Sequence, residues 1–506
     1  MAHPPTARGA RLRTIDPLAP LTGLVALAVY LLQGFDGLLS RDLAVYSYGG
    51  QQFADGVSPF VAILNRAGPL AHAVPGVGAW VADLVGVDDL WGMRVTLMLV
   101  AVATIVVMYL LGRDLFGSRG AGLATAAAML SCEGFIRYAT FGPREKTTMV
   151  LMLALALLAM VHQRWGTAGA FIALSTLCWQ PVAFPAIAGV AVAALLGTGP
   201  GARDRLVALA RIAVGGLVPT LVTVLAYVAI GKLQVLLDAF FWINLRYTQQ
   251  TDLADNPSGV WHSMSDAYRS SLWTLLLGTI VILALGVHAA RRAERRTARG
   301  AALVGLAVHV LVCVLWSFKA FNGWPDAFFV LPASMLGIGA LVALLERRAP
   351  GRAAVAVVVV WALVATALSV AAARYNRNDD LLAQRADVDA VMAILPRDAT
   401  LASVEAPQPL VLAHRRNLSR FQLFGNGLAD YVDDTWPGGT TGYGRWLVAR
   451  RPTVIAVGEQ SGMPDWLPPA MAGRYVDVGA SDGWAWWVRR DLGAPVLDDL
   501  RSALGG

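Results

Sequence analysis

Apolar residues in this chain come in long blocks, and polar residues gather between and after them. Runs at 17–35, 92–112, 120–137, 147–162, 167–181, 183–197, 207–230, 272–290, 301–317, 327–345 and 353–374 predict about eleven helices. Most are long enough to cross a hydrocarbon core. The runs 167–181 and 183–197 are short, and are expected to be tilted, kinked at Pro181 and Pro185, or partly re-entrant. A further apolar stretch at 69–86 is predicted to lie flat at a membrane interface. After Arg374 the pattern changes. A helix at 379–395, a strand at 400–405, a helix near 440–451 and a strand at 453–457 follow in turn. A helix near 463–472 and strands around 475–478 and 485–488 complete the alternation, which predicts a small α/β domain. That domain is expected to be large enough to bury its own core.

The expected fold class is therefore a polytopic α-helical membrane protein with a C-terminal extracytoplasmic α/β domain. Residues 1–375 form the transmembrane domain, with a first outer loop at 36–91, and residues 376–506 the soluble one. Composition agrees: 56% of the 506 residues are hydrophobic and 15% charged, well on the apolar side of a soluble chain. No small-residue cleavage site follows Leu32, so the first apolar run reads as a retained span.

The net charge of +7 does not point to nucleic acid, because the arginines are placed by side of the membrane. With the N-terminus cytoplasmic, Arg8, Arg11 and Arg13 lie inside. So do Arg113 and Arg119, Arg164, Arg203 and Arg205, and the cluster from Arg291 to Arg299. Arg347, Arg348 and Arg352 follow the same rule. The localisation expected is a multi-pass protein of the cell membrane with its C-terminal domain outside. Cys132, Cys178 and Cys313 fall in apolar runs, so no disulfide framework is expected. The seven histidines show no metal-binding spacing, and no metal site is expected. Glycine-rich pieces at 117–122 and 197–201 lack phosphate-loop spacing and read as tight turns.

Candidate chemistry lies at the outer ends of the spans. Asp42 opens the first outer loop, four residues before Tyr46 on the same helical face. It reads as a first-turn or capping acid favoured by the helix dipole, or as a general base held by that helix. Asp36 is a second acid, closer to the span end. Arg137, Arg144 and Lys146 form a basic cluster in a short outer loop, against the positive-inside trend. They suit a phosphate at headgroup level, or they snorkel. Arg246 and Tyr247 follow Phe240-Phe241-Trp242, a stretch fit either for a sugar or for an aromatic belt. Lys319 is another outer cation. Asp326 follows Trp324-Pro325 and reads as a helix start or a site acid.

Several stretches resemble the GT-C class of integral membrane glycosyltransferases. The first loop carries Asp42-Leu-Ala-Val-Tyr46, Gln51-Gln52-Phe-Ala-Asp-Gly56-Val-Ser-Pro59-Phe60 and Gly68-Pro69-Leu70. Arg94 opens the second span and Tyr109 to Gly117 close it. Phe141 to Thr147, Trp179-Gln180-Pro181, Glu405-Ala-Pro and Tyr431 to Gly439 look more like the dolichyl-phosphate-mannose mannosyltransferases of prokaryotic surface glycans. The resemblance implies an inverting glycosyltransferase that moves a sugar, mannose first, from a polyprenyl-phosphate donor. The acceptor would be a glycan, lipid or protein on the outer face. Asp42 matches the class's base. Arg144 and Lys146, with Arg137, match its phosphate-binding residues, and Asp36, Tyr46, Arg246, Tyr247, Lys319 and Asp326 are further substrate-binding candidates. No cofactor is expected, with a divalent metal left open. Membrane lipids are the other partner and nucleic acid is not one. The alternatives are a flippase of lipid-linked sugars, or a polymerase or ligase using a diphosphate-linked donor.

Overall fold

The computed structural model describes residues 16–199, 201–248, 256–349, 351–459 and 462–505. Arg8, Arg11, Arg13, Gln249 and Gln250 lie outside the described residues.

A helix stands at each apolar run. The first ten α-helices are α1 (Leu18–Gln33), α2 (Arg41–Ala54), α3 (Leu70–Val85), α4 (Asp89–Phe116), α5 (Arg119–Leu130), α6 (Glu133–Thr140), α7 (Glu145–Val161), α8 (Trp165–Thr176), α9 (Ala183–Gly197) and α10 (Ala202–Ala229). Helices Ser271–Ala290, Ala298–Lys319, Leu331–Arg348 and Gly351–Asn376 complete the apolar part. Among the described residues six helices are long and apolar enough to cross a membrane. The run expected as one span at 120–137 is two helices, broken at Ser131 and Cys132, with Glu133 opening the second. Small residues let the helices approach closely. A Cβ on Gly305 would lie 2.5 Å from the Gly189 carbonyl oxygen, where Ala298–Lys319 crosses α9.

The stretch at 69–86 is helix α3. One face, with His72, Ala79 and Ala82, packs inward, while Val77, Trp80, Val81, Leu84 and Val85 are exposed. This stripe at i, i+3, i+4, i+7 and i+8 is the pattern of a helix lying on lipid. The loop before α3 is fixed by Gly68. Its N–H donates to the Cys178 carbonyl (2.9 Å), and a Cβ there would sit 1.9 Å from the Leu177 oxygen. Only glycine tolerates so close an approach.

The C-terminal part holds a four-stranded sheet of β1 (Leu401–Val404), β2 (Val454–Gly458), β3 (Tyr475–Ser481) and β4 (Trp484–Arg489), in the order β1-β2-β4-β3. β1 and β2 pair in parallel, and the other pairs are antiparallel. The parallel strands are buried throughout, as covered parallel strands are. β4 alternates, sending Trp484, Trp486 and Val488 inward. The predicted helix near 463–472 shortens to Leu467–Met471, where Pro468 and Pro469 sit in the first turn.

The expectation that this domain buries its own core needs correction. Its core is shared. Leu39, Leu43, Ala44, Val45 and Tyr48 of the first loop pack with Leu410, Val411, Trp484 and Trp486. Hydrogen bonds cross the same seam. Gln51 Nε2 donates to Val411 O (3.1 Å), Leu64 N to Arg420 O (2.8 Å), and Asn417 N to the Tyr48 hydroxyl (2.9 Å). Helix α2 is thus clamped between the helical bundle and the sheet, and it carries Asp42.

Candidate active site

Ser40, in extended conformation, holds the N-cap position of α2, and Asp42 is in its first turn. Asp42 does not cap. Its Oδ2 accepts from Arg144 Nη1 (2.8 Å) and its Oδ1 from Arg41 Nη2 (3.3 Å). Burial alone would raise its pKa, but Arg144 and Arg41 outweigh burial and hold the carboxyl far below the usual carboxylate range. Arg144 is the N-cap residue of α7, and Glu145 and Lys146 form the first turn. Burial opposes the charge on Arg144. Glu145, Tyr138 and Asp42 overcome that and keep it firmly protonated.

Lys146 Nζ lies 2.6 Å from Asp326 Oδ1, 3.5 Å from Glu145 Oε1 and 4.5 Å from the centre of the Trp179 ring. Asp326 sits in the short 3-10 turn Trp324–Phe329, and the following helix begins at Leu331. It does not cap that helix. Its Oδ2 accepts from the Asn322 backbone N–H (2.8 Å).

These side chains line one cavity of about 820 Å³. Its polar end holds Arg41, Arg66, Arg144, Lys146 and Lys319 against Asp42, Glu145, Asp326 and Glu405, one positive charge in excess. Arg66 is placed by its own peptide, whose carbonyl accepts from Gln180 (2.8 Å) and Asn244 (3.0 Å). Pro181, Phe184, Phe240, Phe241, Leu245 and Trp316 give the cavity an apolar side. Phe184 and Trp316 stack at 5.0 Å, and Phe184, Phe241 and Leu245 are exposed on the outside of the bundle. Leu423, Gly425, Asn426 and Leu428 of the C-terminal domain complete the lining.

The four acids differ in access. The Asp42 side chain is 44% exposed, whereas Glu145, Asp326 and Glu405 are at 4, 7 and 1%. Asp42 is the carboxylate a ligand can reach.

Six of the ten sequence candidates meet here: Asp42, Tyr46, Arg144, Lys146, Lys319 and Asp326. Tyr46 lies under the Arg144 guanidinium at 5.9 Å. The other four are elsewhere. Asp36 lines a separate pocket of about 240 Å³ with Asp88, Arg94 and Arg385. Arg94 is fully buried there, donating to the carbonyls of Phe35, Gly37 and Gly142. Arg137 donates to the Asp266 carbonyl (3.0 Å) and lies over the Trp324 ring. Arg246 covers Trp242, and the Tyr247 hydroxyl donates to Asp434 (2.9 Å), so Tyr247 docks the C-terminal domain. Arg41, Arg66, Glu145 and Glu405 were not singled out as site residues from the sequence. The charge cluster around Arg144 signals Glu145, and Glu405 stands in the Glu405-Ala-Pro stretch of the resemblance, which assigns it no role.

Among the described residues no group of acids, histidines or cysteines is arranged to hold a metal ion. The cavity's cations and the accessible Asp42 carboxylate suit an anion and a hydroxyl.

No protein-family model and no curated protein sequence matches the chain. Solved structures do. The chain matches the crystal structure of ArnT from Cupriavidus metallidurans bound to undecaprenyl phosphate with a TM-score of 0.63. Sequence identity is 16%, over 95% of this chain and 99% of that one. Against the same protein in its apo state the TM-score is 0.56 at 15% identity, over 97 and 99%. The fold is that of the GT-C membrane proteins, with a small sheet at the C-terminus.

Proposed function

We propose that the protein is an inverting glycosyltransferase that moves a sugar from a polyprenyl-phosphate donor to an acceptor hydroxyl at the membrane surface. One observation carries this reading: a single cavity joins the accessible Asp42 carboxylate, a cluster of cations and an apolar wall that opens on the bundle's exterior. The likeness in fold to ArnT, crystallised with undecaprenyl phosphate, supports a donor of that chemistry.

The acceptor oxygen attacks the anomeric carbon as the bond from that carbon to the phosphate oxygen breaks. The electron pair leaves with the polyprenyl phosphate. Its growing charge is met by Arg144, Lys146 and Lys319, the kind of stabilisation that carries most of such catalysis. Asp42 takes the acceptor proton. The tail leaves the cavity past Phe184, Trp316, Phe241 and Leu245. The single excess positive charge of the lining matches a phosphodiester better than a diphosphate, which disfavours a polymerase or ligase. A flippase would need charges at mid-membrane. Here Asp42 and Glu145 are in first turns and Lys319 in a last turn.

Purified protein in lipid should transfer label from one member of a panel of radiolabelled polyprenyl-phosphate sugars, with mannose tested first. Label that never leaves any donor, with cell-envelope acceptors present, would sink the reading. The proposed orientation places this site and the C-terminal domain outside. Cysteine introduced at the exposed loop residue Asp55 should then react with an impermeant maleimide in intact cells. Protection until the cells are lysed would reverse the topology.

A further inference from the structure

Glu405 stands at the C-terminal end of β1 and reaches the cavity wall from the sheet domain. Its backbone is left-handed, at φ +59°, a conformation uncommon for a residue with a Cβ. The peptide is pinned there. Its N–H donates to the Gln422 carbonyl (2.7 Å), and Gly458 packs so close that a Cβ would fall 2.1 Å from the Glu405 oxygen. The side chain is 1% exposed. Oε1 accepts from the backbone N–H groups of Phe424 and Gly425 (2.5 and 2.8 Å), and Oε2 accepts from Arg41 Nη1 (2.7 Å). With both oxygens engaged and no access, Glu405 is not a base. It is an anchor for Arg41, whose other nitrogen, Nη2, contacts Asp42 Oδ1.

We infer that Glu405 is a positioning residue for transfer: through Arg41 it fixes the carboxylate of Asp42, so the C-terminal domain completes the catalytic centre. This rests on Asp42 being the base. Arginine on a flexible stem is a poor orienting group unless its far side is held. Glu405 holds it and also shares its charge, so that Arg41 weakens Asp42 as a base less than an unshared guanidinium would. The role matters most when a donor phosphate draws Arg144 away. Arg41 is then the cation that keeps the Asp42 carboxylate in place. Strained backbone held by surrounding structure is what such a preorganised group requires.

The test uses the full-length protein in lipid and the radiolabelled donor that the wild type transfers. Glu405→Gln keeps the shape and one carbonyl for Phe424 and Gly425, and removes the charge facing Arg41. It should lower kcat by about tenfold, less than loss of the base itself, and leave the donor KM unchanged. Arg41→Gln should lower kcat by a similar factor. The double variant should be no slower than Arg41→Gln alone, because the two residues act as one unit. An unchanged kcat in Glu405→Gln, or factors that multiply in the double variant, would overturn the inference. A thermal melt in detergent shows whether Glu405→Gln is folded. Should it not be, Arg41→Gln decides alone, and a wild-type rate there overturns the inference. Wild-type protein that transfers nothing would instead overturn the glycosyltransferase reading.

Discussion

Asp42→Asn is expected to lower kcat by a factor of about 10²–10⁴, the usual worth of a placed general base, while donor binding becomes slightly tighter. The first effect follows from access. Asp42 is the one carboxylate of the lining that an acceptor hydroxyl can touch, and asparagine fills the same space without taking a proton. The second follows from the ion pair. Arg144 spends part of its charge on Asp42 at 2.8 Å. Neutralising Asp42 leaves that guanidinium freer for a phosphate. A lower kcat with an unchanged or lower donor KM separates a lost base from a lost binding residue. The fold should tolerate the change, because Glu145 remains beside Arg144 and Glu405 beside Arg41. Near-normal turnover in Asp42→Asn would remove Asp42 from the chemistry.

The elements were largely legible because their signals are local. Apolar runs gave the helices, and the alternation of helical and strand patterns after Arg374 gave the C-terminal strands. The basic cluster against the positive-inside trend gave Arg144 and Lys146. What was not legible depends on direction and distance. Asp36 and Asp42 are six residues apart, yet a fully buried Arg94 holds the chain on both sides of Asp36, at Phe35 and Gly37, and of the two acids only Asp42 lines the cavity. Arg137 and Arg144 look alike in sequence. The break at Cys132 starts a separate short helix, α6, whose last turn carries Arg137 and turns that side chain toward Asp266 and Trp324. Tyr247 carries a sugar-binding look but spends its hydroxyl on Asp434. The anchor at Glu405 lies 364 residues from Arg41, and its backbone turn depends on Gly458 in another strand. No window along the chain contains that information. The same holds for the shared core. Leu43 and Tyr48 carry no sequence signal of their partners, and only the tertiary structure shows that they pack with Trp484 and Trp486 of the sheet.

Arg144 is the residue whose removal should act on both substrates' chemistry, and the direction of the outcome is decided by magnitudes. Replacing it with glutamine frees Asp42 from its strongest neighbouring cation, which would make Asp42 a better base. It also withdraws the guanidinium from the departing phosphate. The first gain is a fraction of a Brønsted effect. The second is the loss of a charged donor in a largely enclosed site, worth about 10²–10³ in rate for a single donor. The loss wins. Arg144→Gln should therefore lower kcat by roughly that factor, raise the donor KM, and leave the acceptor KM nearly as it was. Arg144→Lys keeps the charge without the planar fork that reaches Asp42 and Glu145 together, so it should fall between the two. The nearly buried Glu145 would lose one of its two cations in Arg144→Gln, and a lower melting temperature is expected there but not in Arg144→Lys. Steady-state kinetics with donor and acceptor varied separately checks all of this. A donor KM that stays at the wild-type value in both variants would place the phosphate elsewhere in the cavity, with Lys146, Lys319 and Arg66 among the cations then left to hold it.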